Sequence, residues 1–228
     1  MDFVKNTVVF LPYVGSNYQV TKRTVFGKRL MFMGASHYCE HYCRKTGCGE
    51  NCPFYGKYYF DQGRLYFGKK CEKFTNIVIG RYLEESNGKK EHWFKTFDKM
   101  FKQFTKTGEV SEVTRKRILD NIIYFEYCEG AEGCDPYMHN QKLMEDFRNY
   151  QELENVVAQY KPNVLVVHGA RVKKLIAHYA GVKDPQRCYA TRIAGQSVDV
   201  LNLKHPADRY IKDLGVKEAI DKLGIKLV

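Results

Sequence analysis

The sequence predicts a three-layer α/β/α domain on a four-stranded, mostly parallel central sheet, and two observations lead there. First, four short apolar runs, at 30–33, 122–127, 164–167 and 198–203, have the length of strands. The first, third and fourth are nearly continuous in Val, Leu, Phe and Met, the composition of parallel strands covered on both faces. Second, segments of helical period lie between the runs.

The helices follow in order. After Cys71, the residues Phe74, Ile77, Val78 and Tyr82 keep helical spacing. In 91–106, Trp93, Phe97, Met100, Phe101 and Phe104 form an apolar stripe, and Lys95, Lys99, Lys102 and Lys106 lie largely on another face. That pattern reads as a structural helix with a solvated lysine side. Phe147, Tyr150, Val156, Val157 and Tyr160 define a helix that ends before Pro162, because a proline ring disfavours helical backbone in the residue before it. Val172, Leu175, Ile176 and Tyr179 define another, closed by Gly181. In the tail from Arg209, Ile211, Leu214, Ile220 and Leu223 mark the last. With no internal repeat and no low-complexity linker, residues 1–228 read as one domain carrying a Cys-rich loop at 39–71.

Composition narrows the partners. No run approaches the roughly 18 apolar residues of a membrane helix. The first residues, interrupted by Asp2 and Lys5, lack the apolar core of a signal peptide. The expected location is therefore the cytoplasm, where thiols stay reduced and a cluster of them points to metal rather than disulfides. The net charge of +11, from 37 Lys and Arg against 26 Asp and Glu, favours a polyanionic partner such as nucleic acid.

Half of the eight cysteines, Cys39, Cys43, Cys48 and Cys52, fall within fourteen residues directly after the first strand. Four thiolates suffice for a closed tetrahedral zinc site, and Gly47 and Gly49 let the backbone wrap an ion. His37, His41 and Cys71 are substitute ligands, and a loop of unliganded thiols is the alternative. Such a zinc is structural, since four thiolates leave no position for water. Cys128 and Cys134 bracket an acidic stretch and read as loop or core cysteines.

Ligands of open α/β sheets bind beyond the carboxyl ends of the strands. Three such ends carry distinctive chemistry: Gly34-Ala35-Ser36-His37-Tyr38 after the first strand, His168-Gly169-Ala170 after the third, and Lys204-His205-Pro206-Ala207-Asp208 after the fourth; Glu126 lies near the end of the second. This arrangement resembles the uracil-DNA glycosylase superfamily, with its four-stranded parallel sheet. That superfamily has a Gly-led water-activating loop after the first strand and a His-Pro loop after the last. The chain is more closely similar to bacterial glycosylase-like proteins with a Gly-Glu-Ser-His-Tyr loop followed by cysteines and a Cys-x-x-Phe-Thr helix start, here Cys71-Glu72-Lys73-Phe74-Thr75.

The resemblance implies hydrolytic removal of a modified or damaged base from DNA, a reaction that needs a flipped nucleotide, a water near C1′ and stabilisation of the departing base. It assigns the last role to His205. Ser36 then holds water, His37 is a second acid or stabiliser, and Gly34, Ala35, Tyr38, His168, Pro206 and Arg209 surround the substrate. Arg209 and Arg171 each read either as a phosphate contact or as a surface residue. Some members of the superfamily carry a four-iron, four-sulfur cluster, so an iron–sulfur centre stands beside zinc as the alternative at the cysteines. Two departures bear on activity. Ala35 and Ser36 stand where better-known members have Asp, Asn or Glu, and Glu126 is nearest to the Asn that reads uracil. Glu126 is then an acceptor for an amino-bearing base, the missing general base, or one half of a cross-sheet ion pair. A nucleic-acid-binding module of the same fold, zinc-stabilised and catalytically silent, is the second reading.

Overall fold

The computed structural model describes residues 11–20, 24–38, 59–61, 64–66, 74–84, 94–132, 145, 147–204 and 215–228. Among these, the strands are β1 (Tyr13–Val14), β2 (Leu30–Tyr38), β3 (Tyr59–Asp61), β4 (Arg64–Tyr66), β5 (Ile122–Glu132), β6 (Val164–His168), β7 (Cys188–Ile193) and β8 (Gln196–Leu203). The helices are α1 (Ser16–Val20), α2 (Phe74–Glu84), α3 (Phe94–Phe101), α4 (Glu112–Leu119), α5 (Phe147–Tyr160), α6 (Ala170–Tyr179) and α7 (Val216–Lys222).

The architecture is α/β, and its main sheet has six strands rather than four, in the order β1-β5-β2-β6-β8-β7. β5, β2, β6 and β8 run parallel to their neighbours, whereas β1 and β7 add antiparallel edges. The edges escape an apolar-run reading for physical reasons. β1 has two residues, and β7 is only partly covered, so its CYATRI sequence carries no continuous apolar stretch. β3 and β4 form a separate two-stranded pair.

Alternate residues of the parallel strands enter two cores. Leu30, Phe32, Ile122, Tyr124, Val164, Val166, Leu201 and Leu203 pack with residues of α2, α3, α4 and α7. Met31, Met33, Ile123, Phe125, Leu165, Val167, Val198 and Val200 pack with residues of α1, α5 and α6. This period-two division between helical layers makes the sandwich. The first face is the more aromatic: Phe32 meets Phe101 and Phe104 edge-on at 5.4 and 4.9 Å between ring centroids.

Several boundaries differ from expectation. β2 runs through Gly34, Ala35, Ser36, His37 and Tyr38, which the sequence suggested as a loop, because β5 continues to pair with it through Gly34↔Glu126, Ser36↔Cys128 and, after a register shift, Tyr38↔Glu132. β5 accordingly takes in Cys128 and the acidic Glu129 to Glu132. The helix expected over 91–106 is α from Phe94 to Phe101 and then a 3₁₀ turn over Lys102–Phe104. α4 had no forecast. Its inward side is made by Arg115, Ile118 and Leu119, so an arginine occupies a core position and dilutes the apolar pattern. Arg115 is tolerated there because its guanidinium donates to the Tyr82 carbonyl at 2.9 Å, pairs with Asp98 at 3.5 Å and lies 4.3 Å over the Tyr82 ring. The last helix is described over Val216–Lys222, behind Gly215 at φ 92°, and the expected Ile211 and Leu214 lie outside the described residues. Among the described residues no helix is long and apolar enough to cross a membrane.

Candidate functional site

The connections leaving β2 and β6 go to opposite sides of the sheet: β2 is followed in the sheet by β5 on one flank, and β6 by β8 on the other. The carboxyl ends of β2 and β6 therefore flank the point where the winding reverses, the usual location of a ligand crevice in such sheets. Register arranges the residues there in a row. Glu126 pairs with Gly34, Met33 pairs with Val167, and His168 pairs with Leu203. Stepping one residue past the Met33–Val167 pair aligns Gly34 with His168. With strands about 4.8 Å apart, Glu126 and His168 stand about 10 Å apart at their backbones, with the bare Gly34 between them.

All three share the aromatic face of the sheet. Glu126 is two residues beyond Tyr124, His168 two beyond Val166 and Gly34 two beyond Phe32, and those three residues belong to that core. Glu126 is 7% exposed, and its Oε1 accepts a hydrogen bond from the Tyr124 hydroxyl at 2.8 Å. Burial first, then the charge and hydrogen bond of Glu126, hold the Tyr124 hydroxyl well above its ordinary pKa, so it remains a donor. Gly34 is fixed by the same pair: a methyl group there would lie 2.6 Å from Tyr124 Oη and 2.7 Å from Glu126 Cδ. Phe97 of α3 backs the assembly, 5.2 Å from the Tyr124 ring.

His168 is 2% exposed and stacks on Phe32 with ring centroids 6.3 Å apart and planes 12° from parallel. Its Nδ1 lies 3.4 Å from the carbonyl oxygen of Lys204, and when that nitrogen carries the proton it donates there. The contact ties the end of β6 to the residue that immediately precedes His205 in the chain. On the other face, Asn202 anchors the end of β8: its amide donates to the Gln186 carbonyl at 2.7 Å and its backbone N–H to that of Arg187 at 2.7 Å.

The structure thus brings Gly34, Glu126 and His168 into one row at the strand ends, with Ala35 following in β2 beside the opposite core. Ser36, His37 and Tyr38 are the last three residues of β2. His205, Pro206 and Arg209 lie outside the described residues, as do Cys39, Cys43, Cys48, Cys52, His41, Cys71 and Cys134. Arg171, read as a phosphate contact or a surface residue, has a carboxylate 3.5 Å away in Glu145. Among the described residues no cluster of three or more His, Cys, Asp or Glu side chains is placed to hold a metal ion. A surface groove lined by Asn17, Val25, Leu83, Val113, Arg117 and Asn121 opens at the amino end of β5, away from this row. Tyr124 and Phe32 were not singled out from the sequence. The signal for Tyr124 is its position two residues before Glu126, which puts both on one face of a strand.

No family model matches the chain, and no curated protein matches it in sequence.

Proposed function

We propose that the chain is a DNA glycosylase-like hydrolase that removes a modified or damaged base, working at the carboxyl ends of its parallel strands. The observation that carries the reading is the buried Glu126, held by Tyr124 against Gly34 in the row that leads to His168. Buried carboxylates in a sheet-end crevice are where acid–base chemistry concentrates. The four central strands run parallel, as in the superfamily the sequence resembles, and the first-strand end supplies no acid at Ala35 or Ser36. Glu126, one strand away, takes that part.

Glu126 accepts a proton from water as the water oxygen forms its bond to C1′. The C1′–N bond breaks with its electron pair moving to the base, and His205 donates a proton or a hydrogen bond to that leaving group. Tyr124 positions Glu126 by occupying Oε1, and the backbone at Gly34 provides close approach where any side chain would collide. A structural zinc on Cys39, Cys43, Cys48 and Cys52 belongs to the same reading, supported by the chemistry of four thiolates; one equivalent of zinc in the purified protein is the expected analysis.

The test is release of bases from labelled single- and double-stranded DNA carrying uracil, hypoxanthine or modified cytosines, scored as alkali-sensitive abasic sites. Wild type should nick one of these and His205→Ala should not. No abasic sites on any substrate, with salt-sensitive binding retained by both proteins, would replace this reading with the silent binding module, which the missing carboxylate at Ala35 and Ser36 favours.

A further inference from the structure

We infer that the outer side of α3 is a track for the phosphate backbone of a nucleic acid, formed by Lys95, Lys99 and Lys102 and continued by Lys106. The inference rests on the proposed nucleic-acid function and names the surface that would serve it. At 100° per residue Lys95 and Lys99 lie about 40° apart on one side of α3, and Lys102 and Lys106 follow in the 3₁₀ turn and the bend after it. All four are exposed. The opposite side is fully committed to the core, with Phe94, Phe97, Met100 and Phe101 buried.

The sign of the surface distinguishes it from an ordinary solvated helix. The single acid of α3, Asp98, faces inward and accepts from the Tyr82 hydroxyl at 2.6 Å while pairing with Arg115. Among the described residues none of the four lysines makes an ion pair. α6 also carries only basic charges, Arg171, Lys173 and Lys174, but there Arg171 is opposed by Glu145 at 3.5 Å; two other helices mix signs. α7 alternates Lys217, Glu218, Asp221 and Lys222, and α4 carries Glu112, an ion pair of Lys116 with Asp120 at 2.9 Å, and Arg117. An unopposed row attracts a polyanion by releasing its counterions.

Position adds to the case. Phe97 touches the ring of Tyr124, whose hydroxyl holds Glu126, whereas Phe104 at the far end of the segment meets Phe26 near the start of β2. The segment that carries the row therefore passes over Tyr124 and runs back along the domain. Lys95 and Lys99 are about 6 Å apart along the axis, similar to the separation of neighbouring phosphates on a strand. A strand gripped by this row would present its next nucleotides at the sheet ends.

The experiment measures binding of a fluorescein-labelled 20-base-pair duplex by anisotropy between 50 and 200 mM salt. It compares wild type with a triple variant, Lys95→Gln/Lys99→Gln/Lys102→Gln. A matched control, Lys161→Gln/Lys174→Gln/Lys183→Gln, removes three exposed charges elsewhere. Neutralising three phosphate contacts should reduce the slope of log K against log salt by about 2.7. The gain in affinity on lowering salt from 200 to 50 mM should then be about 40-fold smaller for the α3 variant than for wild type. The control should keep the wild-type slope, and thermal melting should place all three proteins together. An unchanged slope in the α3 variant, or an equal fall in the control, overturns the track while leaving the proposed function intact. No binding by wild type at 50 mM salt overturns both.

Discussion

A Gly34→Ala substitution places a methyl group where the fold holds Glu126 and Tyr124. The added carbon would sit 2.6 Å from Tyr124 Oη and 2.7 Å from Glu126 Cδ, well inside contact distance. Neither neighbour is the loose end of a surface side chain: Tyr124 and Glu126 are both at most 7% exposed and bonded to each other at 2.8 Å. Relief requires that pair to separate or β5 to move from β2. Overpacking a filled site costs about 1–3 kcal/mol. Weakening a hydrogen bond to a buried charged group costs about 1.5–3 kcal/mol. A loss of about 3–5 kcal/mol is therefore expected, read as a fall in urea midpoint at constant m-value. The cause is tested by a double-mutant cycle. In a Tyr124→Phe/Glu126→Ala background both blocking groups are gone, so the same glycine substitution should cost about 1 kcal/mol or less, a coupling of at least 2 kcal/mol. Equal costs in the two backgrounds would refute the steric argument and with it the reason given for glycine at this position.

Two further predictions concern the frame. Asp98→Ala strands the Arg115 guanidinium, whose side chain is 5% exposed, and should cost about 3 kcal/mol, or about 6–12 °C in Tm for a chain of this size; a change within 2 °C would show that Tyr82 alone satisfies the arginine. Tyr18 is fully buried, and burial, partly offset by Arg29, pushes its pKa up to about 12. Because the folded state holds this proton more tightly than the unfolded chain, Tyr18 contributes stability that is complete below pH 10 and is lost as pH rises towards 12. Tyr18→Phe should therefore flatten the decline of urea stability across that window by up to about 1.4 kcal/mol per pH unit, and an unaltered slope would contradict the assignment.

What the residues disclosed in advance, and what they hid, follows from how each position is used. The four parallel strands were legible because burial on two faces forces an apolar residue at nearly every position, as in the fully buried VLVVH of β6. β7 alternates between partly covered and exposed positions, and β1 spans two residues, so neither leaves a run to recognise. α4 was hidden by Arg115, a core position whose charge is satisfied only through α2 and α3, contacts that no local pattern encodes. The end of β2 was mistaken for a loop because Gly-Ala-Ser is a weak strand sequence in isolation; pairing with β5 outweighs that preference. At the site, strand-end position and the family resemblance drew attention to Gly34, Glu126 and His168. Their alignment in one row depends on register and on which face each strand turns to the aromatic core. Tyr124 was overlooked because a buried tyrosine reads as core until the acid two residues on is seen to share its face.

In the proposed reaction the carboxylate of Glu126 is the group that takes the proton from water. The decisive measurement is the single-turnover rate of base release by wild type and Glu126→Gln, on whichever modified base wild type removes. The amide keeps an acceptor for the Tyr124 hydroxyl but cannot take a proton from water. A loss of about 10²- to 10⁴-fold is expected, with melting temperature and DNA affinity unchanged. Wild-type rates in Glu126→Gln would contradict it and leave the Tyr124–Glu126 pair as a structural element of the sheet.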